Sequence, residues 1–319
     1  MGGDLYADRR CLHSAGPANS VQPAESWVSA AANTLSHGFA WQATQRLLRN
    51  RLAVFGLMLV ALISFVAMFA HWLAPHPYDY ARFDRVLLLP LQHPEHLLGT
   101  DEVGRDYLSR LIFGARTSLL VSLLVQGVAV AIGVPLGALA GYVGGRTGFV
   151  VSRLIDVMTA FPSLLFAILL ISVLGGGLHS VVLALSVTGW ILIARLTRAQ
   201  FLTLREWDFV LCARALGVPA WRIALRHVLP NALTPIVIAV SFGIPATIFA
   251  EAGLSFLGLG INDPMASWGK MVGVSNAYVR VYWHLALFPT LAIALTMLGC
   301  SLLGDGLRDA LDPRHVSST

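Results

Sequence analysis

Between Gly99 and Ser118 the sequence alternates acids and bases, setting Asp101, Glu102 and Asp106 among Arg105, Arg110 and Arg116. Carboxylates this close could do acid–base work, but no nucleophile or metal-ligand pattern accompanies them. The stretch reads either as a structured cap tied to the mouth of the helix that follows, or as a solvated loop whose charges stay wet. For the individual residues, the solvated loop is the simpler reading. His71, His76, His93 and His96 lack the i,i+4 spacing of a helical metal site and read as loop histidines, so no metal site is expected. Cys11, Cys212 and Cys300 are too scattered for a metal set or a disulfide. The charged residues Asp8, Arg9 and Arg10 argue against a lipid-modified Cys11. No phosphate-cradling G-x-x-x-x-G-K-[ST] run occurs, and no His/Asp or Ser/Lys constellation falls in an apolar stretch, so no catalytic residue and no intrinsic ATP hydrolysis are expected.

One further ionisable residue stands out: Glu251 lies inside an apolar run. Such groups face a cavity or a partner, or lie at a helix end and reach for water. Here the sequence allows a pathway or interface role, but favours the helix-end reading.

The elements that position these residues are dictated by composition. The chain is 319 residues long, 56% hydrophobic and 12% charged, with a mean hydropathy of +0.70, against about 25% charged residues in soluble domains. Crossing about 30 Å of hydrocarbon takes about 20 apolar residues as a helix, because backbone groups cannot go unpaired in lipid. Six such stretches are predicted, at 52–73, 117–141, 158–174, 180–194, 232–253 and 284–303. The third carries Pro162 near its start, which a bundled helix tolerates by local repair. Gly133, Gly137 and Gly141 recur every fourth residue in the second, which predicts close packing of another helix.

Placing both termini on the cytoplasmic side puts 15 of the 22 Lys and Arg residues there, so the positive-inside rule orients the chain that way. The basic pI of about 9.4 then needs no nucleic acid to explain it. Residues 1–45 mix Gly, Pro, Ser and Ala with scattered charge and are expected to be a disordered tail without a cleaved signal peptide.

Residues 205–231 are different: a polar, Arg-bearing segment between two apolar ones. The run from Phe209 to Leu216 has no Gly or Pro and suits two helical turns. Gly217 then supplies a C-terminal stop, Val218 and Pro219 turn the chain, and Trp221 starts a second amphipathic helix. The product is a helical hairpin. Ala213, Ala215 and Gly217 are small enough for a partner's groove to approach, while Arg214, Arg222 and Arg226 offer charge to its rim.

Three blocks resemble one family. They are the run from Leu47 to Leu57 together with that from His96 to Ser118, the hairpin with Ala213, Gly217, Leu229 and Pro230, and the run from Leu254 to Gly260 with Ser267, Trp268, Gly269 and the stretch 303–314. The sequence is similar to C-type permease subunits of the dipeptide, oligopeptide and nickel ABC importers. That resemblance implies an all-α membrane protein with six transmembrane helices in the type I ABC importer permease fold. It implies residues 46–114 as the family's N-terminal region, 115–308 as the transmembrane domain with the ATPase-coupling loop at about 205–231, and 309–319 as a cytoplasmic tail. The implied coupling-loop residues are Leu211, Ala213, Arg214, Ala215, Leu216, Gly217, Arg222, Arg226, Leu229 and Pro230. The implied partners are a B-type permease subunit, two cytoplasmic ATPases that use ATP and Mg2+, an external solute-binding protein to which 99–118 could be presented, and the lipid of a bacterial inner membrane. No cofactor is expected on this chain. At the loop's usual acidic position the sequence has Leu211, followed by Cys212 in place of an alanine, which shifts the expected contact from charge to packing. A secondary transporter or channel is the rival reading, but it predicts paired mid-membrane charges or an internal repeat, and neither is visible.

Overall fold

The computed structural model describes residues 41 and 43–311. Most of the predicted 1–45 tail, Cys11, and residues 312–319 lie outside the described residues. Among the described residues the fold is helical, with two isolated β-bridges and no strand.

The first long helix, α1 (Arg51–Met68), starts where the Asn50 side chain accepts from Leu52 N and Ala53 N, and α2 (Ala70–Leu73) adds one turn. A loop at 74–106 leads to α3 (Tyr107–Tyr142), whose 36 residues reach about 54 Å at 1.5 Å per residue. Its N-cap is Asp106, so the predicted second span starts ten residues early and more than half of the charged stretch 99–118 is helix. Along α3 the four-residue glycine repeat does what its spacing predicts. Cβ atoms at Gly133, Gly137 and Gly141 would meet the carbonyl oxygens of Trp190, Ala194 and Arg198 at 2.8, 2.5 and 2.6 Å. Those three carbonyls lie on α6 (Leu178–Leu204), so the two backbones approach in matched register.

The third predicted span is not one helix. α4 (Gly145–Thr159) and α5 (Ser163–Leu174) meet at an 80° bend. Pro162 caps α5 instead of being absorbed, since it has no N–H to give and disfavours a helical residue before it. The 12 residues of α5 extend about 18 Å, short of the hydrocarbon thickness.

Beyond α6 come α7 (Asp208–Ala215) and α8 (Ala220–Ile223). The second hairpin helix does not stop at Pro230. It continues through a π turn (Ala224–Val228) into α9 (Leu229–Phe256), one unbroken stretch from Ala220 to Phe256. Pro230 cannot bond back to Arg226 and its ring crowds that carbonyl; the wider π turn, with Leu229 N bonding to Ala224 O, relieves both problems. The short α10 (Trp268–Ser275) and the long α11 (His284–Leu311) complete the bundle. α11 lies against α1 through small residues: a Cβ on Gly56 would meet Gly299 O at 2.8 Å, and one on Gly306 would meet the Ala53 side chain at 2.2 Å. Among the described residues, five helices are thus long and apolar enough to cross a membrane, and the bent pair is the sixth candidate.

Candidate functional site

Two polar assemblies occupy opposite ends of α3. At its C-terminal end, the Arg205 Nη1 donates to Gly141 O at 3.2 Å, which fastens the start of the hairpin to the bundle. Asp208 opens α7, placing a negative charge against the positive end of the helix. The helix ends in a Schellman motif: Val218 N bonds to Ala213 O at 3.1 Å and Gly217 N to Arg214 O at 3.0 Å. Gly217 takes the required left-handed conformation, at φ 75°.

The hairpin folds on its own small core, where Val210, Ala213, Ile223 and Val228 pack with Phe201, Leu204 and Ile236. Ala213 is therefore buried in this chain and does not present its small side to a partner, unlike the sequence expectation; Ala215 and Gly217 are exposed. Arg214 lies over the Tyr142 ring at 5.4 Å and Arg222 over the Trp221 ring at 5.5 Å, so both are partly held by their own chain. Arg226 and Pro230 are exposed and Leu229 is half-buried. Leu211 (45% exposed) and Leu216 (82%), both named from the sequence, lie on the outside of the hairpin. What the sequence reading missed is the further apolar surface beside them, Trp207, Phe209, Trp221 (63% exposed) and Leu225. Their signal was available as large apolar residues at hairpin positions that its core does not use.

At the N-terminal end of α3 the charges do the opposite. Arg105 Nε donates to Asp101 Oδ2 at 2.6 Å, its Nη1 to Asp263 Oδ1 at 2.9 Å and its Nη2 to Glu102 Oε1 at 3.2 Å. Arg110 Nε is 3.3 Å from Asp101 Oδ2, and Lys270 Nζ is 2.9 Å from Asp263 Oδ2. Asp101, Arg105, Asp106 and Arg110 are all buried. The solvated-loop reading is thus corrected: these residues form a structured cap, because Asp263 and Lys270 arrive from far along the chain to complete it. Burial pushes the Glu102 carboxyl above its ordinary value, with neighbouring Asp101 adding to the rise. For Asp263 burial acts upward, but hydrogen bonds from Lys270 and Arg105 win and hold it below its ordinary value. Lys270 is lowered by burial, partly offset by Asp263.

Of the four histidines read as loop residues, His76, His93 and His96 lie in the loop and His71 on α2. His96 is buried there, and its Nδ1 lies 3.0 Å from Asp106 Oδ1. Requiring i,i+4 spacing could not find this contact, which joins a loop residue to a helix cap ten positions on.

Glu251 is wholly buried, not at a helix end reaching for water. Its Oε1 accepts from Ser255 Oγ and Ser267 Oγ, each at 2.8 Å. Ser267 is the N-cap of α10, so Glu251 ties that helix to α9. Trp268 completes the attachment, its Nε1 donating to Leu111 O at 2.9 Å. Between α3, α5, α6 and α9 lies a cleft of about 340 Å³ lined by apolar side chains with Gln126, Ser163, Thr188 and Thr247; Gln126 Nε2 donates to Thr247 Oγ1 at 3.0 Å.

Comparison with known proteins places this geometry. The family described as "Binding-protein-dependent transport system inner membrane component" matches residues 133–316, and "N-terminal TM domain of oligopeptide transport permease C" matches 38–94. The dipeptide transport system permease protein DppC of Bacillus subtilis (strain 168) is 40% identical over 281 residues, covering 88% of this chain and 87% of its own. The oligopeptide transport system permease protein OppC of Haemophilus influenzae is 38% identical over 275 residues, covering 86% and 88%. Among solved structures, an inward-facing MetNI methionine ABC transporter chain superposes with a TM-score of 0.54 at 19% identity, covering 64% of this chain and 97% of that one. This last likeness concerns the fold alone.

Proposed function

The chain belongs to the family of binding-protein-dependent transport system inner membrane components, and from that premise we propose that it works as one half of a peptide-importing membrane pathway, moved from outside by separate ATPase subunits. Its relatives are permease subunits of dipeptide and oligopeptide transport systems, so the cargo proposed here is a peptide or a related small solute. A B-type permease supplies the other half of the pathway, an external solute-binding protein delivers cargo, and two cytoplasmic subunits hold ATP and Mg2+; this chain binds no cofactor itself. Both termini and the hairpin face the cytoplasm of a bacterial inner membrane, while the cap at 74–106 faces outward. The cleft lined by Gln126, Thr188 and Thr247 forms part of this chain's wall of the pathway.

One observation carries the reading: a hairpin with an apolar outer surface continues without interruption into a helix that crosses the bundle, from Ala220 to Phe256. Movement of the hairpin is therefore transmitted along about 55 Å of helix, and the buried Glu251 links the far part of that helix to α10 and the cap. The permease contributes shape and motion, and its partners contribute the chemistry.

Gly217→Val tests this. The residue sits at φ 75°, and apart from its two chain neighbours no atom of the described residues lies within 4 Å of an added Cβ, so the cost is conformational, about 1–2 kcal/mol, and falls on the hairpin turn. ATP-dependent uptake and ATPase association should fall while membrane insertion and subunit level hold. Intact uptake at normal subunit levels would mean that the hairpin does not transmit the stroke.

A further inference from the structure

We propose that His76, His96 and Asp106 form a binding site for a divalent cation of the zinc type at the head of α3. One ligand atom from each residue lies within 4.8 Å of the others. His96 Nδ1 and His76 Nδ1 stand 3.0 and 4.0 Å from the same oxygen, Asp106 Oδ1. A tetrahedral ion with bonds of about 2.0–2.2 Å holds its ligands about 3.3–3.5 Å apart, so the two observed separations bracket the required one. Only a small shift is needed, and His76, the more exposed of the three, is free to make it: its side chain is 26% exposed, against 3% for His96 and 1% for Asp106. The same exposure gives the ion a way in.

The surroundings orient the donors as the outer shell of a metal site does. Asp106 has two jobs, divided between its oxygens. Oδ2 caps α3, accepting from Ser109 N at 2.8 Å and Ser109 Oγ at 2.7 Å, which leaves Oδ1 facing the imidazoles. Ser109 Oγ in turn accepts from His76 N at 3.0 Å, so one hydroxyl fixes both the carboxylate and the backbone of the exposed ligand. A hydrogen bond from His96 N to His93 O at 3.0 Å holds the loop that carries the buried one.

A further observation points to a ligand. Among the described residues, His76 Nδ1 is buried without a hydrogen-bond partner. Buried polar atoms are rarely left this way, and an ion shared with His96 Nδ1 and Asp106 Oδ1 gives this nitrogen an occupation that the protein does not. Two imidazoles and one carboxylate select a borderline transition ion over Ca2+ or Mg2+, which prefer all-oxygen sets. Three protein ligands leave a fourth position for water or another donor. The inference does not depend on the transport role.

The test uses the full-length chain, purified in detergent with an affinity tag free of histidine, stripped with chelator and titrated with Zn2+. One equivalent should bind, and Co2+ in its place should give the visible bands of a tetrahedral site. His76→Ala should weaken Zn2+ binding by at least the loss caused by removing an outer-shell partner, about 10–100-fold. His71→Ala should leave it unchanged. Because His96 and Asp106 are buried and their variants can misfold, the decisive variant is His76→Ala, with its metal-free melting temperature as the check on folding. No stoichiometric Zn2+, or equal binding by His76→Ala and the parent protein, would overturn the proposal and leave His96 and Asp106 as a plain hydrogen-bonded pair.

Discussion

The two ends of α3 are both rich in charge, yet they use it in opposite ways. At the Asp106 end, Arg105 and Arg110 are buried among Asp101, Glu102 and Asp263. At the Tyr142 end, the hairpin keeps Arg222 and Arg226 in the open and turns Leu211, Leu216 and Trp221 outward with them. The charges of the first region are met within the chain; the second, among the described residues, leaves large apolar side chains exposed. Charge density alone does not separate a clamp from a docking surface. What separates them is whether distant parts of the chain return to meet the charges.

If the cap is a clamp, removing its centre must be costly. Arg105→Ala would leave the buried Asp101 with Arg110 alone, at 3.3 Å, so the loss should fall toward the lower end of the about 3–5 kcal/mol that breaking a buried pair from one side costs. The expected result is a large drop in the detergent melting temperature; a drop as small as that of a surface substitution would mean that the cap's ion pairs are ornamental. The contrasting substitution is Trp221→Ala on the hairpin. It should leave the chain's own stability within about 0.5 kcal/mol yet weaken ATPase association by about 2 kcal/mol or more, the range of an interface hot spot. Measured affinities that match the parent would remove Trp221 from the docking surface. Smallest of all is Leu211→Glu, which restores an acid on an exposed helix face. Stability should change by less than about 0.5 kcal/mol, with uptake retained or slightly raised; loss of uptake would show that the apolar side chain is itself a contact.

The sequence disclosed what depends on neighbours along the chain. The glycine spacing at 133, 137 and 141 predicted a tight helix contact, and Gly217 the end of α7, because each is a local requirement of backbone geometry. Proline shows where local reasoning stops. Pro162 and Pro230 both face the same missing hydrogen bond, yet the first marks an 80° break and the second is absorbed by a π turn. The choice is made by packing, which spacing does not contain. Glu251 was misjudged for a similar reason, since its partner Ser267 lies 16 residues away beyond the end of α9. The cap needed Asp263, 158 residues from Arg105, and nothing in the 99–118 stretch announces it.

The central claim is that the hairpin end is a docking surface on the cytoplasmic side and the capped end is not. Single cysteines at Leu216 and at Leu97, both exposed, test it in a chain cleared of native cysteines. With a membrane-impermeant maleimide, the cysteine at position 97 should label in intact cells and that at 216 only in inside-out vesicles, where added ATPase subunits should protect it. Labelling of 216 in intact cells, or no protection by the ATPases in vesicles, would contradict the account.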